Sequence, residues 1–400
     1  MTYDVHKIRS HFPSLNTGLA YFDGPGGSQV PMVVGAAIAH AITKPISNRN
    51  TNTESEKNAE EYVVGFREAV GDLIDVDPRG VVYGRSWTQL TYDFSRTLAK
   101  NWGPGDEIVV SRLDHDSNVR PWIQAAEGVG ATVRWAEIDV KTTEVSVAAV
   151  EAVLSSKTKL VAITGAGNTI GTRPDLKAIG VAVHKVGALF YVDGVHLTPH
   201  AAISVKDIGA DFFGFSFYKL MGPHCAALAA SPALLETLSN DKLLPATNIV
   251  PERFEFGTLP YELMAGCIAA VDFISEMAPG NGVTRREKIV NSMNALEKYE
   301  DELLEYLESS VASLPGVTLY GHAKHRTPTI YFSFGGHNSV DIYKEMALKS
   351  VTLPASNFYA LEVSRALGLG DAGALRAGLA PYSTRDDVDR LIAGLKELLA

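Results

Sequence analysis

The sequence predicts an α/β chain: a large layer built on a mostly parallel sheet, followed by a smaller α+β domain. Three observations carry this. Short apolar runs alternate with helical patterns through the middle of the chain, as strand–helix–strand units do. These runs are continuously apolar, the mark of strands covered on both faces. From about residue 261 the pattern changes to long helical stretches and then short strands. A length of 400 residues suits two domains at roughly 150 residues each. The expected boundaries are 15–275 for the large domain and 276–400 for the small one, with residues 1–14 packing against the latter.

The elements follow in order. Residues 55–74 place Tyr62, Phe66, Val70 and Leu73 on one helical face. The run VVYG is a short strand, and a helix opens near Ser86. Then come strand EIVVSRL, helix PWIQAAEGVG, strand TVRWAEI, helix VAAVEAVLSS, strand KLVAITG, helix DLKAIGVAVHKVG, strand ALFYVDG and strand FFGFSF. Two long helices run through 261–313. Strands VTLYG and PTIYFSFG follow, then a helix near 338–348, a helix from about Asn357, strand ALRAGLA and a closing helix.

Composition excludes several classes. With 46 acidic against 36 basic residues, the net charge of −10 is wrong for a binder of the nucleic-acid backbone. The sequence has no apolar run of transmembrane length and no signal-peptide core at its start, so a cytoplasmic enzyme without membrane partners is expected. Two cysteines, Cys225 and Cys267, make no disulfide framework, and no CxxC or spaced histidine set suggests a metal.

In a parallel α/β sheet, ligands collect at the carboxyl ends of the strands. Polar residues converge there from five strands: Ser86, Trp87 and Thr88; Asp114, His115 and Asp116; Asn168; Asp193 and His196; Ser216, Tyr218 and Lys219. Lys219 closes an apolar strand and reads either as a solvated lysine or as a Schiff-base lysine, which needs a desolvated site. Asp193 reads as a turn residue or as the partner of a pyridinium nitrogen. Ser86 and Thr88 begin a helix whose N–H groups suit a phosphate, though an ordinary cap has the same signature. GAGNTIG has GxGxxxG spacing without a following acidic ribose partner, a weak sign of a nicotinamide-binding oxidoreductase. His115 stands without a spaced ligand partner, so stacking suits it better than a metal.

Several motifs in order carry a resemblance over nearly the whole chain: YFDGPGGSQVP, VSRLDHDSNVRPW, VAITGAGNTIGT, FYVDGVHLTPH, FSFYKLMGPH, FEFGTLP and LRAGLAPYSTRDDVDRL. The chain resembles fold-type I pyridoxal-phosphate enzymes, in the class V aminotransferase group that includes cysteine desulfurases and selenocysteine lyases. The resemblance implies pyridoxal 5'-phosphate bound through Lys219, with Asp193 at the pyridine nitrogen. It places His196 and Asn168 near the phenolic oxygen and His115 over the ring, where it helps move protons. Ser86, Trp87, Thr88, Ser216 and Tyr218 are expected around the cofactor and its phosphate, and Thr258 is expected to reach the phosphate from the partner subunit. Arg376 matches the anchor of a substrate α-carboxylate, with Ser28 and Asn168 on the same side. A homodimer with shared active sites and an amino-acid substrate follow.

One departure narrows the reaction. Desulfurases of this group carry a catalytic cysteine on a small-domain loop, and the corresponding stretch, SVTLPASNFYAL, has none. Cys225 and Cys267 sit in apolar contexts, as core residues do. The expectation is an aminotransferase or C–S/β-lyase. The alternatives are a cysteine desulfurase and a degenerate protein that binds the cofactor without turnover.

Overall fold

The structure, a computed structural model, describes residues 3–400. Its central sheet has seven strands in the spatial order Val81–Gly84, Ala226–Ala230, Phe212–Ser216, Leu189–Asp193, Thr158–Thr164, Glu107–Ser111 and Thr132–Ala136. The last five run parallel, and Ala226–Ala230 is antiparallel to both neighbours. Alternate residues serve opposite cores. Ile108 and Val110 pack with Trp87, Phe94 and Trp122, whereas Val109 faces the cluster holding Phe66 and Val70. Both faces are covered, which is why these strands read as unbroken apolar runs. Thr132–Ala136 differs: it is one of the two sheet edges, its exposed residues alternate with half-buried ones, and Arg134 pairs with Glu107 at 2.7 Å.

Helix Glu54–Ile74 begins at a capping box made by Thr53 and Glu56 and buries Phe66, Val70 and Leu73. Helix Tyr261–Ser275 packs on it and on helix Met32–Thr43. The C-terminal part is a four-stranded antiparallel sheet, in the order Ala355–Ser356, Ala374–Gly378, Thr329–Phe334, Val317–Tyr320. Helices Arg285–Ala312, Ser339–Leu348 and Arg385–Leu399 bury a separate apolar cluster around Leu307, Phe332, Met346 and Leu391.

The N-terminal segment touches this C-terminal part. The Tyr3 hydroxyl donates to the Pro381 carbonyl at 2.7 Å, and Arg9 pairs with Asp387 at 2.9 Å. Strand Ala20–Tyr21 pairs with Val351–Thr352, and Asp23 bridges Gly378. Residues 20–23, placed by the sequence in the large domain, therefore add to the smaller sheet system.

The helix expected from about Asn357 does not start there. Phe358 and Tyr359 both have left-handed backbones, with φ of 53° and 60°, and the helix is Leu361–Ala366. The Asn357 side chain accepts from the Tyr359 N–H at 2.9 Å, a local turn that competes with helix. Two distant groups pin it: the Asp116 N–H donates to the Tyr359 carbonyl at 2.7 Å, and Asn168 Nδ2 to the Phe358 carbonyl at 2.9 Å. Such a conformation costs of order 1–3 kcal/mol per residue and persists where surroundings impose it. Among the described residues, no helix is long and apolar enough to cross a membrane, and no group of three or more His, Cys, Asp or Glu could hold a metal ion.

Candidate active site

The carboxyl ends of the parallel strands open into a cavity of about 610 Å³ that reaches the C-terminal sheet. Lys219, Tyr218, His115, Asn168 and Thr88 line it from the large layer, and Arg376, Phe358 and Tyr359 from the other side. A narrower recess continues from it between Ser86, Trp87, Thr88, Asp193, His196 and Ser216.

Lys219 ends a short 3₁₀ turn, Phe217–Lys219, that follows strand Phe212–Ser216. Its side chain is buried and Nζ donates to the Pro25 carbonyl at 2.5 Å. Burial lowers its pKa to about 8, helped by the Arg376 charge and opposed by Asp193 and Asp23. Asp193 closes the neighbouring strand. Its Oδ1 accepts from the Val195 N–H at 2.9 Å and its Oδ2 from the Trp87 indole N–H at 2.8 Å. Burial raises this carboxyl to about 6 against the pull of those two donors and of Lys219. Gly214 makes room for this arrangement, because any side chain there would strike the Trp87 ring.

His115 caps a short turn, its Nδ1 accepting from the Ser117 N–H at 3.0 Å. Burial, then the charges of Lys219 and Arg376, push its pKa down to about 3, so the ring is neutral at physiological pH. Tyr359 stacks on it, with ring centroids 5.4 Å apart. Arg376, in strand Ala374–Gly378, is almost wholly buried. Nη2 pairs with Asp23 Oδ1 at 2.5 Å, Nη1 donates to the Asn168 carbonyl at 3.1 Å, and Phe358 lies 3.8 Å from the guanidinium carbon. Its Nε is buried without a hydrogen-bond partner, as is Asn168 Oδ1.

The structure thus brings together Ser86, Trp87, Thr88, His115, Asn168, Asp193, His196, Ser216, Tyr218, Lys219 and Arg376. Several of them have other work as well. Ser86 caps helix Trp87–Ala99. His196 Nε2 lies 3.0 Å from the Thr327 hydroxyl and 3.2 Å from that of Thr329, so it also joins the two sheet systems. Ser28 lines neither cavity: its hydroxyl donates to the Tyr218 carbonyl at 3.1 Å and accepts from the Met221 N–H at 2.7 Å, which ties down the turn carrying Lys219. Thr258 is exposed and lies in neither cavity of its own chain.

Sequence reasoning missed Asp23, Tyr92, Arg120, Phe358 and Tyr359, all of which line the larger cavity. Asp23 carried a signal: it lies within YFDGPGGSQVP, one of the motifs behind the resemblance, and opens its glycine-rich run. Phe358 and Tyr359 carried none, since their left-handed turn depends on distant partners.

Fold and site define an enzyme of fold type I, with a buried lysine at a strand end and a buried arginine across the cavity. The chain belongs to the aminotransferase class-V family, whose model matches residues 20–391. It is 30% identical to the aminotransferase-like protein FGM3 of Gibberella zeae, covering 100% of this chain and 99% of that protein. It is 28% identical to a probable cysteine desulfurase of Halalkalibacterium halodurans, covering 98% of each. The cysteine desulfurase CsdA of Escherichia coli has the same fold, with a TM-score of 0.88, 24% identity and all of both chains covered. Members of the family typically bind pyridoxal phosphate.

Proposed function

We propose that the protein is a pyridoxal-phosphate-dependent enzyme acting on an amino acid, of the aminotransferase or C–S/β-lyase type. Lys219 carries the reading: a buried amine with its pKa lowered to about 8, facing a cavity with a buried guanidinium. The recess fits the cofactor. It offers the buried Asp193 carboxylate for a ring nitrogen and, for a phosphate, the hydroxyls of Ser86 and Thr88 at a helix N-terminus with that of Ser216 at a strand end. The unpartnered Asn168 Oδ1 and Arg376 Nε are buried polar atoms of the kind that a bound molecule satisfies.

When bound, the cofactor supplies an electron sink for charge that develops at the substrate Cα. The chain supplies the rest. Asp193, held in orientation by Trp87 and Val195, keeps a proton on the ring nitrogen by its negative charge. Arg376 orients the substrate carboxylate. Lys219 takes the Cα proton, and a pKa near the working pH suits a group that accepts and then returns a proton. His115, with Nδ1 already occupied, provides an uncharged plane over the site, and Tyr359 covers it from solvent. The test is a panel of amino acids added to the purified holoenzyme. A shift in the visible spectrum and release of keto acid or sulfide are expected; a panel that moves neither defeats the reading.

The names of the relatives favour sulfur transfer as the second reading. Against it stand residues 350–361, which contain no cysteine, and the position of the two that exist. Cys225 and Cys267 are buried, 3.2 Å apart at Sγ, and line neither cavity. A Cys225→Ser, Cys267→Ser variant should keep its cofactor and most of its turnover, losing roughly 1–3 kcal/mol of stability for each poorly matched hydroxyl. A persulfide trapped on either sulfur during turnover of the native enzyme would restore the desulfurase reading.

The active unit is a homodimer with shared sites in this reading. Helix Met32–Thr43 is apolar almost throughout yet buries only Val34 and Ala41, and the segment before Thr258 exposes Leu243, Leu244, Ile249 and Phe256. Exposed apolar surface of this extent marks an interface. Thr258 then becomes a donor to the phosphate of the partner's cofactor. Thr258→Ala should weaken cofactor retention by about 1.5–3 kcal/mol, the scale of a hydrogen bond to a charged group. Sedimentation of the native protein as a monomer that holds its cofactor tightly would count against both parts.

A further inference from the structure

The floor of the larger cavity presents a cation and an anion already joined, Arg376 Nη2 to Asp23 Oδ1 at 2.5 Å. The two are unequally placed. The Arg376 side chain is 3% exposed and the Asp23 side chain 37%, so the carboxylate is the partner that faces incoming molecules. Asp23 is also rigidly presented. Its carbonyl accepts from the N–H groups of Gly26 and Gly27 at 3.0 and 3.1 Å, and it bridges Gly378 two residues after Arg376. A side chain at Gly26 would collide with the Asp23 carboxylate, so the glycine keeps space for that charge. The same turn reaches the reacting lysine, because the Pro25 carbonyl accepts from Lys219 Nζ.

Resting on the amino-acid reading above, we propose that Asp23 is a specificity-determining residue: it receives the substrate ammonium while Arg376 receives the carboxylate. A zwitterion can exchange partners with the resident pair. Its carboxylate replaces Asp23 on the guanidinium, its ammonium neutralises the displaced Asp23, and two ion pairs stand where one stood. A bare carboxylate makes the first exchange and leaves Asp23 unpaired beside a like charge, which is unfavourable. A bare amine draws Asp23 away from a buried guanidinium and leaves that charge without a partner, which costs more. The pair therefore selects molecules bearing both charges and brings their nitrogen toward the turn that holds Lys219.

Two ligands of nearly equal shape separate this role from a structural one. N-methyl-L-alanine carries a secondary ammonium with two N–H donors, and 2-methylbutyrate has a methylene in its place. Their affinities are measured by calorimetry on the holoenzyme, in the native protein and in Asp23→Asn. The native protein should prefer the zwitterion. Asp23→Asn should narrow that preference by about tenfold, with 2-methylbutyrate binding tighter and N-methyl-L-alanine weaker. Equal changes for both ligands, or none, overturn the role of Asp23 and leave the amino-acid reading standing. A native protein that binds neither ligand overturns the carboxylate seat itself. Should Asp23→Asn fail to fold, judged by its melting curve, Asp23→Ser carries the same comparison, with the same narrowing expected and the same unchanged ratio against it.

Discussion

Replacing Lys219 with alanine should abolish turnover, lowering kcat by about 10³-fold or more, and should end borohydride-stable retention of the cofactor. In the proposed function two tasks fall to one atom, the covalent attachment and the proton transfer at Cα, so nothing nearby would compensate. His115 is held neutral with Nδ1 occupied, and Tyr218 is a phenol whose pKa burial raises further. Lys219→Arg preserves the charge but not the nucleophile, and should be as inactive as the alanine variant. Reduction of the native holoenzyme followed by peptide mapping should place the adduct in FSFYKLMGP at Lys219. The amine reacts as its free base. A pKa of about 8 in place of 10.5 makes attachment efficient at neutral pH, and its rate should rise as pH increases through about 8. The same shift has a sign for stability. Between about 8 and 10.5 the unfolded chain holds this proton and the folded chain does not, so this lysine adds stability as pH rises across that window. An adduct on another lysine, or turnover by Lys219→Ala, sinks the assignment.

The sheet and most of the recess were legible in the sequence because both rest on short-range rules. An apolar run followed by a polar residue marks a strand and its carboxyl end, and parallel topology brings such ends to one edge. That logic reached Asp193, Asn168 and Lys219 without any three-dimensional information. It failed where a side chain's partner lies far along the chain. Asp23 and Arg376 are 353 residues apart, and neither segment carries a pattern that announces the other. The turn at Phe358 and Tyr359 is set by Asp116 and Asn168 from another part of the chain, so its local sequence reads as helix. Thr132–Ala136 is the strand that TVRWAEI announces, but its partly exposed edge position depends on strand order, which composition does not encode. His196 shows a subtler limit. It lies in the recess as expected, but its bonds to Thr327 and Thr329 give it a second part in holding the two sheet systems together.

Arg376→Ala should weaken amino-acid binding by about 2–4 kcal/mol, the scale for removing one member of a buried charge pair, while the cofactor stays bound. Retention is spared because none of the contacts that hold Asp193 or cap the helix at Ser86 involves Arg376, whose lost charge only lets the pKa of Lys219 rise. The competing account makes Arg376 purely structural, the partner of Asp23. On that account the substitution lowers stability and leaves substrate affinity alone, apart from whatever the loosened turn at Pro25 does to Lys219. A double variant separates the two. Arg376→Ala strands Asp23, so adding Asp23→Ala should recover part of the lost stability, because a carboxylate without a counterion is removed along with its cost. If the arginine is the anchor, that recovery restores no affinity for the substrate carboxylate. Arg376→Lys refines the point. A lysine keeps the charge but offers no planar fork, so it should bind substrate more weakly than the native arginine and more tightly than alanine. The orphaned Nε supports the anchor: a guanidinium serving only Asp23 and the Asn168 carbonyl has no use for a third donor aimed into buried space, whereas one that also receives a two-oxygen ligand does. Substrate affinity unchanged in Arg376→Ala removes this residue from the site, and with it the exchange of partners ascribed to Asp23.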